Sequence, residues 1–230
     1  MAINAGDTTY YQAKRGIVQD GLVLNLDAAV DQSYPGNGTT WYDLAGSNSG
    51  TLTNSPTFDR GEGGSIVFDG TDEYVSLSSS IVPNGDLTLT FWMNINSAVT
   101  AGGDYARLFA SSNDYIEISV SSGGSLKYYK RNGGGWQSVY NSLSTSSWSY
   151  IVYVRDGSDD LFYVGSNNVF TSSGGAHPYH VNIYGHKIGI RYSTNLEPFG
   201  GDVSVVTAYN KALTAAEVLQ NYNATKGRFE

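Results

Sequence analysis

Retaining hydrolysis of a glycosidic bond needs two carboxyl groups about 5–5.5 Å apart, one as nucleophile and one as acid. Acidic residues at alternate strand positions would supply them, because alternate side chains share one face. The nearest match is Glu117-Ile118-Ser119-Val120-Ser121, where serines occupy the two later positions. One carboxylate cannot fill both roles, so we interpret Glu117 as a surface strand residue and predict no catalytic residues.

Two short segments carry groups that could bind a metal. Asp69-Gly70-Thr71-Asp72-Glu73 offers oxygen ligands of the kind that Ca²⁺ prefers, but the same residues also make an ordinary Asp-Gly turn. His177, His180 and His186 have no adjacent carboxylate cluster, which favours loop or interface histidines over a metal centre. We therefore expect no cofactor, leave Ca²⁺ open at the Asp-Gly turn, and assign no metal ligands.

Exposed aromatic rings could bind a sugar, whose apolar face stacks on a ring while its hydroxyls need fixed polar partners. The chain has 18 Tyr, 8 Phe and 4 Trp. Tyr129, Trp136 and Tyr140 cluster near the turn at 132–135 and are our candidate carbohydrate-binding residues. Ordinary sheet packing remains the alternative for each ring. Other rings considered in the same way are Trp41, Tyr42, Trp92 and Tyr128.

Alternating apolar residues predict the strands that would position these side chains. The clearest strand is Leu87–Ile95, and short Gly- and Asn-rich turns join four strands between 107 and 140. Such short links imply antiparallel neighbours. The alternation changes phase between Val203 and Val206, which predicts a bulge. Residues 31–55 are rich in Gly, Asn, Ser and Thr, a composition that predicts a long surface loop.

One short helix is predicted near the C-terminus. Thr214 and Glu217 have the spacing of a capping box, in which each side chain binds a free main-chain N–H near the other residue. Leu213 and Val218 could add a hydrophobic staple. The helical period places Val218, Leu219 and Tyr222 on one apolar face, with Gln220 and Asn221 pointing elsewhere. We expect this face to pack on a sheet.

Composition limits the function classes. The formal charge is −8, from 21 acidic and 13 basic residues, and no basic run is present. Nucleic acid and membranes are therefore not expected as partners. The absence of cysteine excludes disulfides and thiolate chemistry. The first residues show no apolar signal-peptide segment, so we expect a soluble protein that is made in the cytoplasm.

The chain divides into an N-terminal arm, residues 1–20, which we expect to serve attachment or oligomer contact, and one domain, residues 21–230. The C-terminal pattern Phe199-Gly-Gly-Asp-Val followed by Tyr209-Asn-Lys-Ala-Leu-Thr resembles the last strand and helix of laminin-G-like, concanavalin A-like domains. Gly64–Val75, Leu87–Ile95 and Trp148–Gly165 resemble further motifs of that family in the same order. The resemblance implies an all-β, antiparallel two-sheet jelly-roll sandwich with one short C-terminal helix.

The opening of the domain carries a more specific resemblance. Asp20–Ala28 and Ser33–Leu44 resemble the laminin-G-like structural proteins of tailed-phage virions. This implies a non-enzymatic virion protein in a capsid decoration, tail or fibre. It would form a homo-oligomer, contact other virion proteins and bind host cell-surface polysaccharide. It would be made in the host cytoplasm and displayed on the virion surface. The alternatives are a free carbohydrate-binding, lectin-like module and, third, a glycoside hydrolase with unfamiliar carboxylate placement.

Overall fold

The computed structural model describes residues 16–61, 63–77, 81, 85–95, 105–112, 116–121, 123–130, 135–157, 159–172 and 185–230. These residues form two antiparallel sheets and a helix. In chain order the elements are β1 Leu22–Asp27, β2 Thr40–Trp41, β3 Gly50–Thr53, β4 Thr57–Asp59, β5 Ser65–Asp69, β6 Tyr74–Leu77, β7 Leu87–Ile95, β8 Ala106–Ser111, β9 Ile116–Val120, β10 Leu126–Lys130, β11 Gly135–Tyr140, β12 Trp148–Asp156, β13 Asp159–Val164, β14 Asn167–Ser172, β15 His186–Ile188, β16 Gly200–Tyr209, α1 Ala215–Thr225 and a 3₁₀ turn at Lys226–Arg228.

Among the described residues, each sheet has eight strands. Sheet 1 runs in the order β14-β13-β12-β7-β16-β5-β4, and β1 also pairs with β16. Sheet 2 runs in the order β11-β10-β9-β8-β15-β6-β3-β2. Strands that are distant in sequence are neighbours in both sheets, as β16 is beside β7, and every pair is antiparallel. The predicted two-sheet, all-β sandwich with a short C-terminal helix is confirmed.

The core lies between the sheets because one face of each strand is apolar. Ile118 on β9 and Phe91 on β7 are both fully buried in it. Aromatic rings meet across the two sheets: Phe91 lies 6.0 Å from Phe109, and Tyr128 lies 5.1 Å from Phe162. The side chains that can contact a ligand are therefore those on the outer faces, edges and loops of the sheets.

The prediction of a long surface loop at 31–55 is wrong in part. This segment contains β2 and β3, which extend sheet 2, and Trp41 is fully buried in the core. The carboxylate of Asp43 organises the loop between the two strands, because it accepts main-chain N–H groups from Asn25, Ala45 and Asn48 at 2.9–3.0 Å. The polar composition that predicted a loop thus serves a turn that carries a core tryptophan.

Two local predictions near the C-terminus are confirmed. The register of β16 against β7 shifts between Val203 and Val205, at the predicted bulge. Thr214 caps α1 and Glu217 completes the capping box: Thr214 N donates to Glu217 Oε2 at 2.9 Å, and Glu217 N donates to Thr214 Oγ1 at 3.3 Å. Leu213 and Val218 lie in the same buried cluster, as the staple requires.

Helix α1 covers the outer face of sheet 1, but its buried side differs from the prediction. Asn221 is 2% exposed, whereas Leu219 is 37% exposed. Asn221 Oδ1 accepts Val18 N at 2.8 Å, and its Nδ2 donates to Tyr209 OH at 3.0 Å. Hydrogen bonds thus compensate the burial of this amide. They also fix the end of the predicted arm, because Val18 packs in the apolar cluster between helix and sheet.

Residues 1–15 of the predicted arm lie outside the described residues. At the other end of the chain, Arg228 binds both carboxylate oxygens of Asp27 at 2.8 and 2.9 Å, which fastens the C-terminal turn to β1. Within the described ranges, no helix is long and apolar enough to cross a membrane.

Candidate functional site

The candidate site is the outer face of sheet 2 at strands β8 to β11. Ile116, Ile118 and Val120 of β9 point into the core, so Glu117 and Ser119 face outward. In the neighbouring strand β10, Leu126 and Tyr128 point inward. The cross-strand partners of Glu117 are Ala110 on β8 and Tyr129 on β10. This register places the charged and aromatic side chains of four strands on one surface.

Two of the three predicted carbohydrate-binding residues come together on this face. Tyr129 and Trp136 are direct cross-strand partners, with ring centroids 5.3 Å apart and ring planes inclined by 45°. Trp136 is 42% exposed. We call this pair the aromatic platform. Tyr140 pairs with the inward-facing Leu126 and packs against the core, so the structure does not bring it to the platform.

A buried guanidinium supports the platform. The Cζ atom of Arg107 lies 4.5 Å from the centroid of the Trp136 ring, a cation–π distance. Arg107 itself is only 3% exposed. Burial lowers the pKa of Arg107, while the neighbouring carboxylates of Glu117 and Glu197 oppose that shift. The indole is therefore exposed to solvent although it rests on a fixed, desolvated cation.

Four of the charged residues that the structure describes form a network beneath and beside the platform. Arg107 Nε lies 3.1 Å from Glu117 Oε2, and Arg107 Nη2 lies 2.7 Å from Glu197 Oε2. Arg191 Nε lies 3.3 Å from Glu117 Oε1, and Arg191 Nη1 lies 3.7 Å from Glu197 Oε2. Each of these two carboxylates thus contacts both guanidinium groups.

The loop that follows β15 supplies Arg191 and Glu197 to this network. It is fastened to sheet 2 by the main chain, since Arg107 N donates to Glu197 O at 2.9 Å. Arg191 N also donates to Leu196 O at 3.1 Å, which closes the loop on itself. Asn195 and Glu197 adopt positive φ values of 53° and 57°, a conformation that is uncommon for residues other than glycine. The loop is therefore held in a specific shape against the sheet.

Glu117 is not the surface residue that the sequence predicted. It lies on the outer face as expected, but it is only 1% exposed. Both of its carboxylate oxygens contact guanidinium nitrogens of Arg107 and Arg191. The prediction was wrong because these two partners come from other strands and loops, and nothing in the local pattern around Glu117 reports them.

The predicted Asp-Gly turn is present between β5 and β6. Asp69 Oδ1 accepts Thr71 N at 2.7 Å, and Glu73 Oε2 accepts Asp69 N at 2.7 Å. Gly70 has φ +77°, as such a turn requires. Burial raises the pKa of Glu73. Two of the oxygens that were candidate Ca²⁺ ligands thus bind the main chain.

His186 lies in the core rather than in a loop. It is fully buried in β15, its ring stacks on Phe109 at 5.3 Å, and its Nε2 accepts Ile81 N at 3.2 Å. Burial lowers the pKa of His186 to about 3. His177 and His180 lie outside the described residues. Among the residues that are described, no group of three or more His, Asp or Glu could hold a metal ion.

The remaining aromatic candidates lie away from the platform. Tyr128 is in the core, where its hydroxyl donates to Asp160 Oδ2 at 3.1 Å. Trp92 is 2% exposed under α1. Tyr42 is 49% exposed on the β2–β3 loop. The outer face of sheet 2 is thus where an exposed indole, a second aromatic ring and fixed charged groups coincide.

The strands of the candidate site lie in a part of the chain that matches a known protein family. A laminin-G-type family model, described as the concanavalin A-like lectin/glucanases superfamily, matches residues 69–219, more than half of the chain. The chain belongs to this superfamily. The matched range includes β7 to β16 and therefore every strand of the candidate site. A comparison with curated protein sequences gives no match.

Solved structures of this superfamily fold resemble the chain at low sequence identity. A mutant sialidase from Trypanosoma rangeli that displays trans-sialidase activity superposes with a TM-score of 0.71 and 15% identity, over 91% of this chain and 34% of that one. Domain 4 of an extracellular arabinanase from Geobacillus stearothermophilus, in complex with arabinotriose, gives 0.67 and 15%, over 87% and 98%. The binding domain of botulinum neurotoxin serotype D gives 0.69 and 12%, over 90% and 53%.

The chain spans about a third of the length of the sialidase that it resembles. It corresponds in size to the arabinanase domain, of which it covers 98%. At these identities the likeness shows the fold alone, so the function has to be argued from the side chains of the site.

Proposed function

We propose that this protein is a non-enzymatic glycan-binding module whose binding surface is the aromatic platform of Tyr129 and Trp136. The observation that carries the proposal is the exposed indole of Trp136 held on the buried guanidinium of Arg107. A ring that is already fixed loses little conformational freedom when a sugar stacks on it. Arg191 and Glu197, with side chains 34% and 29% exposed, supply charged hydrogen-bonding groups beside it.

The charged network supports binding rather than hydrolysis. A retaining glycosidase needs one carboxylate that can attack the sugar and one acid that can protonate the leaving group. Glu117 is 1% exposed and both of its oxygens contact guanidinium nitrogens, an arrangement that favours a structural carboxylate over an attacking one. We therefore assign Glu117 and Glu197 to positioning Arg107 and Arg191. This reasoning makes the glycoside hydrolase the weaker alternative.

The solved neighbours support a sugar as the ligand class. One is an arabinanase domain in complex with arabinotriose, and another is a sialidase in complex with sialic acid. These ligands are properties of those proteins. For this chain they suggest which glycans to test first.

A glycan array probed with the parent protein tests the proposal. Trp136→Ala should lose binding to every glycan that the parent retains. Tyr42→Ala is the matched control, because it also removes an exposed aromatic ring, 49% exposed, but from the β2–β3 loop. Binding that survives Trp136→Ala, or that Tyr42→Ala abolishes equally, would refute the platform. Both variants should keep the parent's unfolding temperature.

We propose in addition that this module is carried by a tailed-phage virion, as a homo-oligomer attached through residues 1–20. The support is the resemblance of Asp20–Ala28 and Ser33–Leu44 to virion structural proteins. The structure describes the arm only from Gly16, where Gln220 Nε2 donates to Gly16 O at 2.9 Å. Residues 1–15 are therefore the part of the arm to which we assign the attachment.

Removal of residues 1–15 tests the virion role, because α1 holds the chain from Gly16 onward. The truncated protein should keep its unfolding temperature and its glycan binding, but should no longer co-sediment with particles. Equal recovery of full-length and truncated protein in the particle fraction would contradict attachment through the arm. Absence of the full-length protein from purified particles would contradict the virion role itself.

A further inference from the structure

A pocket of about 220 Å³ opens beside α1 on the outer face of sheet 1, on the opposite side of the sandwich from the aromatic platform. The start of β12, the β13–β14 turn and the C-terminal residues form its walls. It is smaller than the roughly 300–1,000 Å³ clefts that hold drug-sized ligands. Its size therefore suits a ligand no larger than about one sugar ring.

A buried, fixed indole lies beneath the pocket. Trp92 is 2% exposed, and its Nε1 donates to Thr225 Oγ1 at 2.7 Å. Phe229 stacks on it at 4.3 Å with ring planes inclined by 23°, and Tyr150 packs against it at 5.1 Å. A hydrogen bond and two ring contacts thus hold this indole in one orientation.

Two half-buried aromatic residues, Trp148 and Tyr222, form part of the walls. Trp148 packs on Phe229 at 4.8 Å, and Tyr222 lies nearly parallel to Trp92, with centroids 5.9 Å apart and planes inclined by 16°. The hydroxyl of Tyr222 donates to the carboxylate of Glu230. This carboxylate also lies 3.6 Å from Lys226 Nζ. A ring and a carboxylate are thereby fixed next to each other.

The rim of the pocket is polar. Gly165 has φ +62°, and its N donates to Tyr150 O at 2.8 Å, which closes the β13–β14 turn over the sheet. The turn places Ser166 and Asn167 on the rim, and Ser149 lines the pocket from β12. Hydroxyl, amide and carboxylate groups thus surround an aromatic interior, the combination that sugar hydroxyls and the apolar face of a sugar require.

We propose that this pocket is a second glycan site, which binds one neutral sugar ring through Trp148, Tyr222 and the polar rim. Glu230 accepts hydrogen bonds from sugar hydroxyls and disfavours an anionic sugar by charge repulsion. The site shares no residue with the platform, so the inference stands apart from the proposed function. Only the further consequence rests on the proposed function: together with the platform, the pocket lets the protein bind glycan on both outer faces of the sandwich and join two chains of a polysaccharide.

The test follows the indole N–H signals of the full chain by NMR during titration with D-glucose, D-galactose and N-acetyl-D-glucosamine. The chain has four Trp, of which Trp41 is fully buried. We expect a saturable shift of the Trp148 signal at millimolar sugar, the range of weak single-ring binding. The shift should persist in Trp136→Ala, which removes the platform and leaves the pocket intact.

Two variants of the exposed turn test the pocket itself. Ser166→Phe should fill it and abolish the shift, and Asn167→Ala should weaken binding about tenfold, which is about 1.4 kcal/mol. Asn168→Ala is the matched control, because Asn168 is an exposed neighbour outside the pocket lining. All three variants should keep the parent's unfolding temperature within a few degrees.

Each contrary outcome overturns the inference separately from the platform. The absence of a saturable Trp148 shift with all three sugars would refute the second site and leave the platform untouched. So would a shift that vanishes in Trp136→Ala or that survives Ser166→Phe. A shift caused by tetramethylammonium but by none of the sugars would make the pocket an aromatic cage for cations instead.

Discussion

The ring centroid of Trp136 lies 4.5 Å from the guanidinium carbon of Arg107, although the two residues belong to β11 and β8, with two strands between them in sheet 2. The indole therefore lies across the sheet rather than standing away from it. Arg107 is in turn bound by Glu117 on β9 and by Glu197 on the loop after β15. One exposed ring is thus connected to three separate segments of the chain.

Removing the cation beneath the platform should destabilise the protein. Arg107→Met removes one guanidinium partner of Glu117, which stays almost fully buried, and breaking a buried pair costs about 3–5 kcal/mol. Denaturant titration gives the change in the free energy of unfolding. An unchanged midpoint would show that the Arg107–Glu117 pair contributes nothing to stability.

A double variant separates the cost of an unpaired charge from the value of the pair. Arg107→Met combined with Glu117→Leu removes both buried charges, so we expect a smaller loss of stability than in Arg107→Met alone. Glycan binding should be weakened in Arg107→Met and in the double variant alike, because Trp136 has lost the cation under its ring in both. Full binding by this variant would mean that Trp136 needs no support from Arg107.

The buried His186 should make the protein sensitive to acid. Its pKa in the folded state is about 3, against about 6.5 in an unfolded chain. Between these values the unfolded chain binds the additional proton, so the free energy of unfolding falls as the pH drops from about 6.5 to 3. His186→Gln should lose about 2–3 kcal/mol less than the parent between about pH 7 and 4.5. Equal losses in the two proteins would contradict the burial of a neutral imidazole.

Asn221 should stabilise both the helix and the first described residues. Asn221→Ala removes the acceptor of Val18 N and the donor to Tyr209 OH, at a cost of about 1–3 kcal/mol. Limited proteolysis should then cut more readily near residues 16–20. Leu219→Ala is the control, because this exposed side chain should change stability by less than about 0.5 kcal/mol. Equal effects of the two substitutions would contradict the observed orientation of the helix.

Calcium should not stabilise the Asp-Gly turn. Asp69 Oδ1 and Glu73 Oε2 already accept main-chain N–H groups, so Ca²⁺ would compete with those hydrogen bonds for these two oxygens. We expect the same unfolding temperature in excess Ca²⁺ and in excess chelator. A rise of several degrees in Ca²⁺ that Asp69→Asn abolishes would assign a metal site to this turn.

Structural features that depend on residues close together in the chain could be predicted from the sequence. The change of phase in β16 predicted its bulge, and the spacing of Thr214 and Glu217 predicted the helix cap, because both depend on neighbours in the chain. The prediction of a surface position for Trp41 was wrong. The Gly- and Asn-rich residues on either side of it suit a tight connection between two strands as well as a surface loop. Local composition does not distinguish a surface loop from such a connection.

Only part of the candidate site could be predicted from the sequence. Tyr129 and Trp136 could be paired because they are close in sequence, but the same proximity also included Tyr140, whose side chain packs against the core. Glu197 reaches Arg107 from far along the chain, so no local pattern reports that contact. Asn221 was placed away from the packed face because an amide carries no apolar signal, and its two buried hydrogen bonds show only in three dimensions.

Calorimetric titration of the array's best glycan into the parent protein, Trp136→Ala and Tyr42→Ala tests the central claim most directly. The account predicts at least about a tenfold rise in Kd for Trp136→Ala, equivalent to about 1.4 kcal/mol, with no change for Tyr42→Ala and no release of reducing sugar by any of the three proteins. An unchanged Kd for Trp136→Ala, or cleavage of the glycan by the parent, would contradict it.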